Sequence, residues 1–379
     1  MNHRIIFAIV GCQLAIAVLG NDESAHHGEW SYDSDTGPMY WYYDHPNCNG
    51  TRQSPINIIE NQTIYNESLT SLLLFNYSTV FNNTNYYLTN NGHTIILGMD
   101  SNSSITVGLF WKGKQYNYYG LHFHWGENDT FGSEHLLSNK HFPLEVHIVH
   151  YLNDYGNFSN SLNYADGVLV WGILYQLDNS IDVNNNSLKD VFNNIQNVIN
   201  AGNKTNIVPV PLSSFVPQNS SDSYYHYAGS LTTPECSESV MWIVNQKFMK
   251  VSSIQLQAFR LLKGHLHNVS DSVEPEVLTE NDRPIQPLNG RKVYTSIPFL
   301  NSSDSSSSSL LPATASFTPT DSSSSSLLPA SSSFTSTNSS SSSLLPASSF
   351  FTPTYSSSSS LLPATALYII FSFISLVFL

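Results

Sequence analysis

Leu121-His122-Phe123-His124-Trp125 is the stretch on which the reading of this 379-residue chain turns. Side chains alternate between faces along a strand, so His122 and His124 share one face while Leu121, Phe123 and Trp125 take the other. Two imidazoles about 7 Å apart along one strand face can close on a single metal ion. Glu145-Val146-His147-Ile148-Val149 offers a third, with Glu145, His147 and Val149 on a common face. If the two segments are antiparallel neighbours, cross-strand residues lie roughly 5 Å apart and a three-histidine set is complete. Three nitrogen ligands leave the fourth tetrahedral position of zinc open, which is the arrangement of a catalytic site and not of a structural one. An isolated His-x-His is more often a pair of half-buried strand histidines, so the surrounding sequence has to separate the two readings.

Working outward, the sequence to about Pro298 is rich in aromatic and aliphatic residues, enough for one sizeable core. Short apolar runs alternate with Asn/Gly/Ser clusters between Ser54 and Val251, the pattern of many strands joined by turns. Val168-Leu169-Val170-Trp171-Gly172-Ile173-Leu174 predicts a central strand buried on both faces. Apolar residues at three-and-four spacing predict helices over Asn186 to Ile199 and Ser252 to Leu262. Residues 21–50 read as an irregular arm. The result is a mainly β domain with peripheral helices. A net charge of -14 with no basic patch excludes nucleic acid as a partner.

The two ends carry different signals. His3 and Arg4 precede an apolar run from Ile5 to Leu19 that closes at Gly20, so residues 1–20 read as a secretory signal peptide. Its removal leaves Cys48 and Cys236, an even pair that implies one disulfide in an exported protein. Asn-x-Ser/Thr sequons stand at Asn61, Asn66, Asn76, Asn82, Asn102, Asn128, Asn157, Asn185, Asn203, Asn219 and Asn268. Residues 299–358 repeat Ser-Ser-Ser-Ser-Ser-Leu-Leu-Pro-Ala, with first leucines at Leu310, Leu327, Leu344 and, just beyond, Leu361, and read as an extended stalk. Ala366 to Leu379 is apolar and uncharged but shorter than the ~20 residues that span a bilayer. Small residues at 356–358, a spacer and this tail fit a lipid-anchor (GPI) signal whose hydrophobic segment, residues 359–379, is removed; a single-pass helix is the alternative.

The His-x-His does not stand alone. It is followed by Trp125-Gly126, by Gly132-Ser133-Glu134-His135 and by Glu145-x-His147. Gln53-Ser54-Pro55-Ile56-Asn57-Ile58, Asn90-Asn91-Gly92-His93, Gly229-Ser230-Leu231-Thr232-Thr233-Pro234 and Arg283-Pro284-Ile285-Gln286-Pro287-Leu288 complete a pattern covering roughly residues 27–298. This pattern closely resembles the alpha-class carbonic anhydrases, in particular secreted or membrane-anchored animal forms. The resemblance implies a large, twisted, mostly antiparallel sheet of about ten strands with peripheral helices, in a single domain over residues 21–298. It also implies Zn2+ on His122, His124 and His147, and reversible hydration of CO2 to bicarbonate.

Further roles follow from the same resemblance. Thr232 would take the hydrogen bond of the nucleophile and donate its own to Glu134, a direction forced because an ionised carboxylate only accepts. Glu145 would orient a ligand histidine through its other nitrogen. Val149, Val170, Leu231, Val240 and Trp242 would form an apolar wall for CO2, with Thr233 beside them. His93 would be the proton shuttle, with Tyr32 and Asn91 ordering the intervening water. Cys48 and Cys236 would be bridged, as in the family's secreted members. The chain departs from the pattern at Gly120, where the family often has glutamine as a partner of the first ligand. Gly264-His265-Leu266-His267, a second His-x-His, reads as a solvated loop. A binding or matrix module that kept the fold and lost catalysis is the alternative; such relatives lack one or more of the three histidines, and this chain has all three.

Overall fold

The computed structural model describes residues 30–100, 106–184, 186–264 and 276–298. The leader-like segment, the serine-rich repeats, the apolar tail, His265 and His267, and the sequons at Asn102, Asn185 and Asn268 lie outside the described residues. Everything described belongs to one compact unit.

Among the described residues, thirteen strands make one sheet, of which ten form a continuous path. In chain order these ten are β1 (Ile64–Tyr65), β2 (Tyr86–Asn90), β3 (Ile95–Met99), β4 (Lys114–Trp125), β5 (Leu144–Leu152), β6 (Val168–Leu177), β7 (Lys204–Ile207), β8 (Tyr224–Gly229), β9 (Val240–Asn245) and β10 (Tyr294–Thr295). They lie side by side as β7-β2-β3-β4-β5-β6-β9-β8-β10-β1. Along this path only β6–β9 and β10–β1 are parallel, so the sheet is mostly antiparallel.

Alternation along β6 shows how the sequence builds two layers. Leu169, Trp171, Ile173 and Tyr175 enter the larger core behind the sheet, together with Phe123, Val146 and Ile148. Val168, Val170 and Leu174 face the other way, with Val149, Val240 and Trp242. The first eight residues of β6 are buried, as its continuous apolar run predicts. The two expected helices are present but shorter. Lys189–Asn194 is α-helical and continues as a 3-10 turn over Ile195–Val198. Its start is late because Asn186 Oδ1 accepts from the Leu188 N–H, a local bond that competes with helix. The second helix is confined to Ser253–Phe259, opened by a capping box between Ser252 and Gln255.

Residues 30–50 form two short 3-10 turns instead of a longer element. They are pinned by the Cys48–Cys236 disulfide, which joins positions 188 apart in sequence. Trp41 packs on that bridge, with Trp30 and Tyr32 alongside. Of the described sequons, Asn61, Asn76, Asn82, Asn157, Asn203 and Asn219 are exposed, whereas Asn66 and Asn128 are half-buried.

Candidate metal centre

β4 and β5 pair antiparallel with His122 opposite His147, the register that the sequence pattern required. The three imidazoles of His122, His124 and His147 converge, with candidate ligand nitrogens all within 4.8 Å of one another. Burial pushes all three below the ordinary histidine range, His124 to about 3, so each ring is neutral and able to ligate at pH 7.

The far nitrogens decide which nitrogen faces the centre. His124 Nδ1 donates to the Asn281 carbonyl at 2.8 Å, leaving its buried Nε2 with no hydrogen-bond partner. His147 Nε2 donates to Glu145 Oε1 at 2.8 Å, leaving Nδ1 for the centre. An orphaned, buried, unprotonated nitrogen costs free energy unless something accepts its lone pair, and zinc fits that need. His122, 9 % exposed, makes no side-chain hydrogen bond among the described residues. The place two residues before it is Gly120, where β4 shifts register against β5.

Glu145 is the hub of a buried chain. Its carboxylate also accepts from the His135 backbone N–H at 2.8 Å and pairs with His135 Nδ1 at 2.7 Å. His135 Nε2 in turn meets the Tyr227 hydroxyl at 2.7 Å, and Tyr227 meets Ser54 at 2.9 Å. Burial alone would raise Glu145, but the His135 and His147 imidazoles outweigh it and hold the carboxylate well below its usual range. A side chain at residue 172 would come within 3.0 Å of Glu145 Oε1, so Gly172 makes room for the pair on β5. His135, Glu145 and His147 also cluster as possible ligands, yet the Glu145 oxygens are already committed to hydrogen bonds.

Glu134, fully buried, accepts from the Arg283 backbone N–H at 3.0 Å. Thr232 lies against its carboxyl and lowers its pKa as a donor, short of a well-formed bond to Oε2. Burial and the charge of Glu145 push Glu134 well above the carboxylate range despite these donors. Its oxygens lie 3.4 Å from His124 Nδ1 and 3.8 Å from His147 Nδ1, so a cation held by those rings favours the ionised form. The loop carrying Thr232 is fixed by Ser230, whose Oγ accepts from Ser54 N, and by the Leu231 N–H bond to the Ser237 carbonyl.

Val149, Val170, Leu231, Val240 and Trp242 do form one apolar cluster, and Thr233 is buried near them. Trp242 lies with its ring 4.8 Å from that of His147, so the cluster reaches the histidines. His93 is half-buried and stacks on Trp30, with ring centroids 3.6 Å apart and planes at 9°. Asn91 Oδ1 accepts from the backbone N–H groups of His93 and Thr94, so the side chain shapes the turn that carries His93. Tyr32 is held protonated by burial and by the charges of Glu134 and Asp282. Sequence reasoning gave no role to three residues placed here, His135, Asn281 and Trp30. His135 and Asn281 stand inside or beside quoted motifs, Gly132-Ser133-Glu134-His135 and Arg283-Pro284, whereas Trp30 carried no signal.

The family model of eukaryotic-type carbonic anhydrases matches residues 36–297. Human carbonic anhydrase 12 is 34 % identical over 270 residues, covering 71 % of this chain and 73 % of its own length. Mouse carbonic anhydrase 7 is 35 % identical over 279 residues, covering 72 % of this chain and 98 % of its own. Bovine carbonic anhydrase 6 is 32 % identical over 268 residues, covering 70 % and 79 % respectively. With three neutral imidazoles converging on one face of a sheet matched along nearly its whole length, the chain belongs to the eukaryotic-type carbonic anhydrase family and is an enzyme of that family.

Proposed function

We propose that this chain binds Zn2+ through His122, His124 and His147 and interconverts CO2 and bicarbonate outside the cell. The observation that carries the reading is the convergence of three buried, neutral imidazoles, two of them committed at the opposite nitrogen. Zinc, when bound, supplies the Lewis acidity that makes water a nucleophile near neutral pH. The protein supplies the rest. Thr232 orients the nucleophile, because ionised Glu134 can only accept and so fixes the direction in which the threonine hydroxyl donates. Val149, Val170, Leu231, Val240 and Trp242 hold apolar CO2 by contact. Tyr32 belongs to the polar side of the route by which a proton reaches His93, and His93 passes it to buffer. Asn91 supports that route by building the His93 turn.

The placement outside the cell rests on the leader-like residues 1–20, the disulfide, the exposed sequons and the tail over residues 359–379. No helix among the described residues is long and apolar enough to cross a membrane. We take the tail as a lipid-anchor signal that tethers the enzyme to the plasma membrane. Purified secreted chain should hold one zinc, read by elemental analysis; a metal-free but folded protein would refute the assignment and favour a binding module. Phosphatidylinositol-specific phospholipase C should release the enzyme from cells. Retention with the tail detected by mass spectrometry would establish a membrane-spanning end instead.

A further inference from the structure

We propose that N-linked glycans on Asn61, Asn66, Asn76 and Asn219 cover two open edges of the sheet and keep those edges from pairing with a second chain. The proposal rests on the export reading of residues 1–20 and not on zinc.

Among the described residues, four strands of the sheet pair on one side only: β1, β7, Leu73–Phe75 and Met249–Val251. An open edge offers backbone hydrogen-bonding groups to another chain, and a lysine on the strand is one guard against that. β7 carries Lys204, and Met249–Val251 carries Lys250, which pairs with Asp178 at 2.7 Å. β1 and Leu73–Phe75 carry no charged residue. On these two strands Ile64, Tyr65, Leu73 and Leu74 are 37–64 % exposed. Phe110, opposite Leu73, and Ile297, just past β10, are exposed as well. Uncharged apolar edges of this kind invite association unless something covers them.

Both edges belong to one region of the molecule. The Leu72 N–H donates to the Ser221 carbonyl at 2.8 Å. The Tyr224 hydroxyl accepts from Trp111 Nε1 at 3.2 Å and donates to the Thr70 carbonyl at 2.7 Å. Sequons crowd the same region. Asn61 lies three residues before β1, and Asn66 directly follows it. Asn76 directly follows Leu73–Phe75, and Asn219 stands two residues before Ser221. Half of the eight described sequons therefore border the two uncharged edges. A second copy of the chain could dock there only by displacing four glycans, so the cover is carbohydrate. A glycan is bulky and hydrated, and it shields apolar surface without presenting a strand of its own.

Glycopeptide mass spectrometry of the intact secreted protein should find carbohydrate on all four sequons. Expression in cells that make only oligomannose glycans, followed by endoglycosidase H, trims the folded protein without changing its sequence. Sedimentation at micromolar concentration should then shift from monomer to dimer or larger. Tyr65→Lys combined with Leu73→Lys should keep the trimmed protein monomeric, with the parent's near-ultraviolet circular dichroism showing an intact fold. Leu177→Lys, at a comparably exposed apolar position on β6, should not prevent association. A trimmed protein that stays monomeric overturns the proposal, as does association that the paired lysines leave unaltered. So does carbohydrate confined to other sequons, with Asn61 and Asn66 or Asn76 and Asn219 both bare. A chain with no carbohydrate and residues 1–20 still attached would overturn the export reading as well.

Discussion

His124 and His147 differ from His122 in what stands behind them. The first two are locked at the far ring nitrogen, by the Asn281 carbonyl and by Glu145. They lie 1 % exposed among partners that are themselves bonded. His122 lines an open cavity of about 740 Å³, and the place two residues before it is Gly120. The candidate metal centre thus has a braced, buried side and an open side. The rigid side fixes ring orientation and tautomer, which is what holds a metal in one geometry. The open side leaves room for ligands, at a cost in how firmly one ring is placed.

Removing a ligand from the rigid side should have the largest effect. His147→Ala should lose most zinc and nearly all CO2 hydration, because two histidines do not hold the geometry that acidifies water. An unchanged rate would end the site assignment. Glu145→Gln keeps the shape of that position but not its charge. Zinc affinity should fall about ten- to hundred-fold, measured by competition with a chelator. An affinity equal to the parent's would mean that bracing on the buried side does not matter.

Much of this contrast is written in local sequence. The period-two placement of His122, His124, Glu145 and His147 follows from strand geometry alone, and so does the doubly buried strand through Trp171. The bracing partners are harder to read, because they are brought in by tertiary packing. Asn281 bonds His124 across 157 positions, and nothing near either residue announces the other. His135 was visible in its motif, but its link between Glu145 and Tyr227 needs β8 beside β9, a long-range pairing. Trp30 precedes the first described turn and takes its place through ring packing, stacked on His93 and edge-on to Tyr32 and Trp41. The first helix starts later than its apolar spacing predicts because Asn186 bonds the backbone locally, a competition that spacing does not record.

Away from the buried side, smaller effects are expected. His93→Ala should slow turnover about ten-fold at low buffer, and imidazole should restore part of the rate. Turnover independent of buffer in both proteins would remove His93 from the proton route. Gly120→Gln places an amide two residues before His122 on the same face. It should tighten zinc by a few-fold, as a new partner for that ring. Unchanged or weaker zinc binding would show that His122 needs no brace.

The central claim is that three histidines make this a zinc-dependent CO2 hydratase. Stopped-flow CO2 hydration, followed while zinc is titrated into chelator-stripped protein, tests it most directly. The account predicts a rate that rises in proportion to added zinc and levels off at one equivalent per chain. Hydration that persists in the stripped protein, or that stays absent after a full equivalent has bound, would contradict it.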